Sequence, residues 1–167
     1  RLLLRHGVDP DVRSPEGRAL PLAAAAGHRE IVELLLAAGA EPVELSPVAG
    51  TVAAVLAGDE AAVDRAVLPA VLADRPGLVA EAVEAGADPG LAVRLGFDVS
   101  ARHDGQTALH TAAWNGDLDL VRRLVSLGAD LDARDGRFGG RPVDWAGHAQ
   151  HPDVVSFLTE AGGPAAG

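Results

Sequence analysis

An all-α fold is what the sequence predicts: a solenoid of stacked helix-turn-helix layers. Three observations predict it. The chain of 167 residues is 48% hydrophobic but only 3% aromatic, so its bulk comes from Ala, Leu and Val, which suit closely spaced helices. A unit of turn, short helix, glycine, amphipathic helix and glycine recurs along it. The glycines keep a fixed spacing: Gly116 and Gly128 stand twelve residues apart, as do Gly27 and Gly39.

The clearest unit runs from Asp104 to Arg134. Asp104-Gly105 is a turn signal, and Thr107 is placed to cap a helix beginning at Ala108 by accepting a hydrogen bond from a free backbone N–H. Gly116 ends that helix. In the next one Leu118, Val121, Leu124 and Val125 recur at three- and four-residue spacing, leaving Asp119, Arg122 and Arg123 on the opposite face. Gly128 supplies its left-handed stop. The inner helix is only about two turns long, and isolated helices that short are marginal in water, so neighbouring copies must complete the core.

Gly17 to Ala40 repeats the design, with Ile31, Val32, Leu34, Leu35 and Leu36 expected on the buried side. Arg141 to Gly162 is a third version, opened by Pro142, whose missing N–H is harmless at a helix start. There Val154, Val155, Phe157 and Leu158 are expected to face inward. Leu2 to Arg13 matches only the back half of a unit. Between Ala49 and Arg102 the period is blurred: Ala53 to Val67 and Leu68 to Pro89 each read as an inner-plus-outer helix pair, followed by a shortened outer helix stopped at Gly96. The expected organisation is a single array over 1–167: a partial repeat at 1–13, a repeat at 14–46, irregular repeats at 47–101, the best-formed repeat at 102–134 and a C-terminal one at 135–167.

Composition excludes several classes of function. A net charge of −10 opposes binding to nucleic acid or anionic membranes, since a polyanion is repelled before contact. Without cysteine there are no disulfides, thiolate nucleophiles or cysteine metal sites. No apolar run approaches the roughly 18 residues of a membrane-spanning helix. Arg1 opens a chain without Met, so a fragment or processed product is expected. Richness in Ala, Gly, Arg and Val, with a single Ile and a single Asn, resembles bacterial coding bias. A cytoplasmic monomer is the expectation.

The stretch TALHTAAWNGDLDLVRRLVSLGADLDAR resembles the ankyrin repeat, and the bacterial type of that family in particular, in its order of turn, Thr-Pro-Leu-His, Ala-Ala, Gly, apolar helix and Gly-Ala-Asp. The resemblance covers nearly the whole chain. It departs from the family where Ala108 replaces Pro, where Pro21 and Asp144 stand at the His position, and where Phe138-Gly139-Gly140 lengthens one turn. A His-mediated network between repeats is therefore expected at His110 only. The resemblance implies a curved solenoid of such layers with projecting β-turn fingers, which grips other proteins with its concave face. Independently, a one-dimensional stack presents an extended surface, which favours binding over chemistry.

Each chemical candidate has a structural reading that accounts for it. Asp144, His148 and His151 could converge on a metal, but His151 precedes Pro152 at a helix end and no His-Glu-x-x-His pattern is present. His110 beside Asp104 or His103 could act as a base, yet no nucleophile accompanies it. Gly136 to Arg141 is glycine-rich but lacks the Gly-Lys-Ser/Thr of a phosphate loop, which makes it a long finger turn. Asp117/Asp119 and Asp130/Asp132 fit a helix start and a turn. No catalytic residue, metal or cofactor is expected.

Trp114 asks for more than packing. It falls where family members expose a side chain to the groove, and exposed aromatics are frequent binding hot spots; cover for Trp145 or a finger is the structural alternative. Around it the finger and groove positions hold Arg102, His103, Gln106, Asn115, Arg137, Phe138 and His148, a set rich in Arg and aromatic residues. The expected function is a non-catalytic interaction module or scaffold that binds a partner protein through these residues. Alternatives are a structural or regulatory segment of a larger protein, or a metal-dependent enzyme using Asp144, His148 and His151.

Overall fold

The computed structural model describes residues 9, 11, 13–14, 17–25, 29–42 and 44–162. Almost all of the partial repeat expected at 1–13, and Gly27, lie outside these. The described chain is helical, in two compact units that divide between Asp74 and Arg75.

In the first unit β1 (Arg13–Ser14) and β2 (Gly17–Arg18) pair antiparallel as a short finger. The Arg18 guanidinium ties its base to Asp11 at 3.4 Å and Glu41 at 3.1 Å. Helices α1 (Ala19–Ala25) and α2 (Arg29–Ala37) follow and pack on each other around Leu20, Ala23, Leu35 and Ala40, with Val32 at the edge. The expected inward face of α2 is corrected here. Ile31 and Leu36 are exposed, at 47% and 41%. The apolar arc of this helix is wider than the face that one inner helix covers, which is the stripe through Val32 and Leu35, three residues apart.

Helix α3 (Pro47–Leu56) packs on α1, and its N-terminus is capped by Ser46, whose hydroxyl accepts from the Ala49 N–H at 3.3 Å. The expected helix pair over Ala53 to Val67 does not form. The inner helix begins earlier, at Pro47, and the supposed outer helix is one 3-10 turn, Glu60–Ala62. The Thr51 hydroxyl accepts from the Asp64 N–H at 3.2 Å, and Asp64 in turn accepts from Ala66 N–H at 2.9 Å. Side chains thus offer this backbone hydrogen bonds that compete with a helix. The helix that packs on α3 is α4 (Leu68–Asp74).

The second unit starts with α5 (Leu78–Glu84) and α6 (Gly90–Arg94), which pack together. Pairing in this region is therefore α3 with α4 and α5 with α6, a shift from the expected Leu68 to Pro89 pair. Then come α7 (Ala108–Asn115) with α8 (Leu118–Ser126), and α9 (Pro142–His148) with α10 (Pro152–Ala161). Inner helices α5, α7 and α9 pack in sequence, and α8 packs on α10. Ala108, Leu109, Ala112, Ala113, Val121 and Leu124 are fully buried between these layers, so small side chains set the close spacing of the inner row. On α10 Val154 and Leu158 are buried, whereas Val155 and Phe157 are only partly covered; the Arg122 guanidinium lies 5.7 Å from the Phe157 ring centre.

Fingers project as expected. His103 and Gln106 exchange backbone hydrogen bonds of 2.9 Å around Asp104 and Gly105, both at positive φ, the geometry of a two-residue Asp-Gly hairpin. The Gly136 N–H donates to the Gly105 carbonyl at 2.8 Å, which joins this finger to the next.

Candidate functional site

His110 anchors the site. Its Nδ1 accepts from the Thr107 N–H at 3.3 Å and from the Thr107 hydroxyl at 2.9 Å, and its Nε2 donates to the Gly140 carbonyl at 3.1 Å. Thr107 and His110 thus close a capping box at the start of α7, in which the imidazole accepts from the N-cap N–H. This network assigns the proton to Nε2. Burial lowers the imidazole pKa, against the opposing hydrogen bond to Gly140.

The following finger folds onto one carboxylate. Asp135 accepts from the N–H groups of Arg137 at 2.8 Å, Phe138 at 2.6 Å and Gly140 at 2.7 Å, and from the Trp145 indole at 3.1 Å. These donors, Phe138 foremost, hold the Asp135 carboxyl well below the usual carboxylate range against the opposite push of burial. With its backbone satisfied on Asp135, the finger turns outward and leaves Phe138 79% exposed.

Between this finger and the ends of α7 and α9 lies a cavity of about 520 Å³ lined by Trp114, Phe138, Gly140, Asp144, Trp145 and His148. Trp114 and Trp145 meet edge to face, centroids 5.7 Å apart and planes at 74°. The His148 ring lies 5.8 Å from Trp114 and within 24° of parallel to it, and His110 meets Trp145 edge-on at 5.3 Å. Trp114 keeps 45% of its surface exposed, and its carbonyl accepts from His151 Nε2 at 3.0 Å. Asp144 accepts at Oδ2 from the Arg141 N–H at 2.9 Å and from Arg141 Nε at 3.3 Å, and these bonds lower its pKa.

Of the residues nominated from sequence, Trp114, Phe138 and His148 line this cavity; Arg102, His103, Gln106, Asn115 and Arg137 do not. Arg102 donates to the Arg134 carbonyl at 2.9 Å. His103 sits 3.8 Å from Glu84 and 3.9 Å from Asp104, and burial raises the Glu84 pKa. Asn115 and Arg137 are exposed, and Gln106 serves the hairpin through its backbone. Asp135 and Trp145 were not nominated, although Asp at the head of a glycine-rich turn is a recognisable turn organiser. The metal alternative is corrected: His151 is turned to the Trp114 carbonyl and Asp144 to Arg141, and among the described residues no three His, Asp or Glu side chains could together hold a metal ion. Among them, too, no helix is long and apolar enough to cross a membrane.

The family model described as "Ankyrin repeat" matches residues 19–45 and 104–136. The chain is 40% identical over 68 residues to the NF-kappa-B inhibitor cactus of Drosophila yakuba, covering 40% of this chain and 14% of that protein. It is 30% identical over 162 residues to the Ankyrin repeat and KH domain-containing protein mask-1 of Caenorhabditis elegans, covering 95% of this chain and 5% of that protein. Against the Notch-regulated ankyrin repeat-containing protein of Xenopus tropicalis it is 40% identical over 55 residues, 33% of this chain and 47% of that protein. The chain thus spans less than half the length of each.

Proposed function

This is an ankyrin-repeat chain, and we propose that it is a non-catalytic interaction module or scaffold. Its partner is another protein, held through the finger and inner-helix side of the second unit and centred on Trp114. One observation carries this reading: two aromatic side chains, Trp114 and Phe138, stand 45% and 79% exposed at one largely apolar cavity. Exposed aromatics cost solvation in the free chain and are the usual anchors of interfaces. A net charge of −10 favours a protein over a polyanion as the partner.

Trp114→Ala is the test. Helical circular dichroism should stay unchanged while capture of the partner from host extract weakens by more than about 1 kcal/mol, as hot-spot truncation does. Unchanged capture removes Trp114 from the interface.

A further inference from the structure

The cavity beside Trp114 combines aromatic walls with a single carboxylate among its lining residues. We propose that it is a binding site for an N-methylated ammonium group, presented as a methylated lysine side chain of a partner protein. The inference rests on the protein-binding reading above and specifies what the partner inserts.

The walls favour a cation. Indole planes at 74° form a corner, with the His148 ring nearly parallel to Trp114. Aromatic faces carry the negative part of the ring quadrupole and attract a cation placed over them. Trp145 donates its N–H to the ionised Asp135, which makes its ring more electron-rich. Asp144 adds a carboxylate at the lining; its ion pair with the Arg141 guanidinium at 3.3 Å and its bond from the Arg141 N–H both fall on Oδ2, leaving Oδ1 for a ligand's charge.

The acceptors select among cations. A guanidinium brings five N–H donors in a fork that prefers a carboxylate with both oxygens open. Here Oδ2 of Asp144 serves Arg141 and the Gly140 carbonyl serves His110. An unmodified ammonium brings three donors and tightly held water. N-methylation keeps the charge, removes donors and weakens hydration. A volume of about 520 Å³ belongs to the range of pockets that bury a whole ligand, enough for the methylated head and its alkyl stem. Exposed Phe138 and Trp114 offer surface to the residues flanking it, and the net charge of −10 draws a cationic segment.

The chain's two tryptophans both line the cavity, so intrinsic fluorescence reports on it directly. The probe is a short neutral peptide with a central trimethyllysine, titrated beside the same peptide carrying lysine, arginine or an uncharged tert-butyl isostere. The trimethyllysine peptide should bind saturably and at least about tenfold tighter than the other three. Trp114→Leu and Asp144→Asn should each cut that affinity about tenfold with helical circular dichroism retained. Should Trp114→Leu disturb the fold, Phe138→Leu at the exposed finger tip takes its place.

Equal binding of the uncharged isostere would overturn the cation site while leaving the protein-interaction reading standing. Free choline binding as tightly as the peptide would overturn the peptide source and count against that reading as well. Absence of any fluorescence change up to millimolar peptide overturns the inference alone, because loss of partner capture by Trp114→Ala is measured separately.

Discussion

The Trp145 indole donates to Asp135 Oδ2 across 3.1 Å, and this bond fastens the inner helix α9 to the finger that leads into it. Three backbone N–H groups of the finger share the same carboxylate. One wall of the cavity and the loop carrying Phe138 are thus held by a single side chain.

Asp135→Asn should therefore loosen both. An amide offers one acceptor oxygen where the carboxylate offers two, so at least one donor loses its partner. The variant is expected to melt at lower temperature and to show altered tryptophan fluorescence at neutral pH. Its pH dependence has a definite sign. The folded pKa lies below the unfolded value of about 3.9, so the stabilisation is complete above that value and is lost as pH falls below it toward the folded pKa. Melting temperatures of wild type and variant should converge below about pH 4; a constant gap would refute the assignment.

His110 predicts a second pH effect. Burial lowers its folded pKa, so the native state prefers the neutral ring. Its contribution is fully present above the unfolded value of about 6.5 and declines as pH falls through the folded pKa. Thermal melts from pH 8 to pH 5 should show the wild type losing stability, with a flatter profile for His110→Gln. Parallel profiles would mean that other groups carry the decline.

Gly77→Ala should destabilise the second unit. A Cβ at Gly77 would collide with the Arg102 backbone carbonyl at the base of the finger. Backbone cannot swing aside as a flexible side chain can, so a cost of about 1–3 kcal/mol is expected in chemical denaturation. A neutral substitution would mean that the finger base shifts freely.

Core and surface leucine-like positions should separate cleanly. Leu109 is fully buried in the inner row, and Leu109→Ala should cost about 2–5 kcal/mol. Ile31 is 47% exposed, and Ile31→Ala should cost less than about 1 kcal/mol. A larger loss at Ile31 would show that α2 buries that side chain after all.

Legibility in the sequence followed the locality of each interaction. The Asp104-Gly105 hairpin, the left-handed Gly116 and the Asp117 cap, whose carboxylate accepts from the Leu120 N–H at 3.0 Å, involve partners only a few residues away. Each could be read from spacing. Between Pro47 and Leu68 the same approach misplaced a helix, because Thr51 takes up the Asp64 N–H from thirteen residues away. In α2, an apolar arc broad enough to hold Ile31, Val32, Leu35 and Leu36 concealed which part of it the inner helix would cover.

The amino-acid order alone determined that short helices would stack in layers, since each apolar stripe needs a neighbour and the glycines set where each helix stops. It also marked Trp114, Phe138 and His148 as surface candidates. Only the tertiary structure brought those three to one cavity with Trp145 and Asp144, and seated Trp145 on Asp135. Turn chemistry is encoded by adjacent residues. A cavity wall depends on the rotation of one inner helix against the next, and that is settled only when the buried faces of α7 and α9, the one rich in alanine and the other built on Pro142 and Ala146, close on each other.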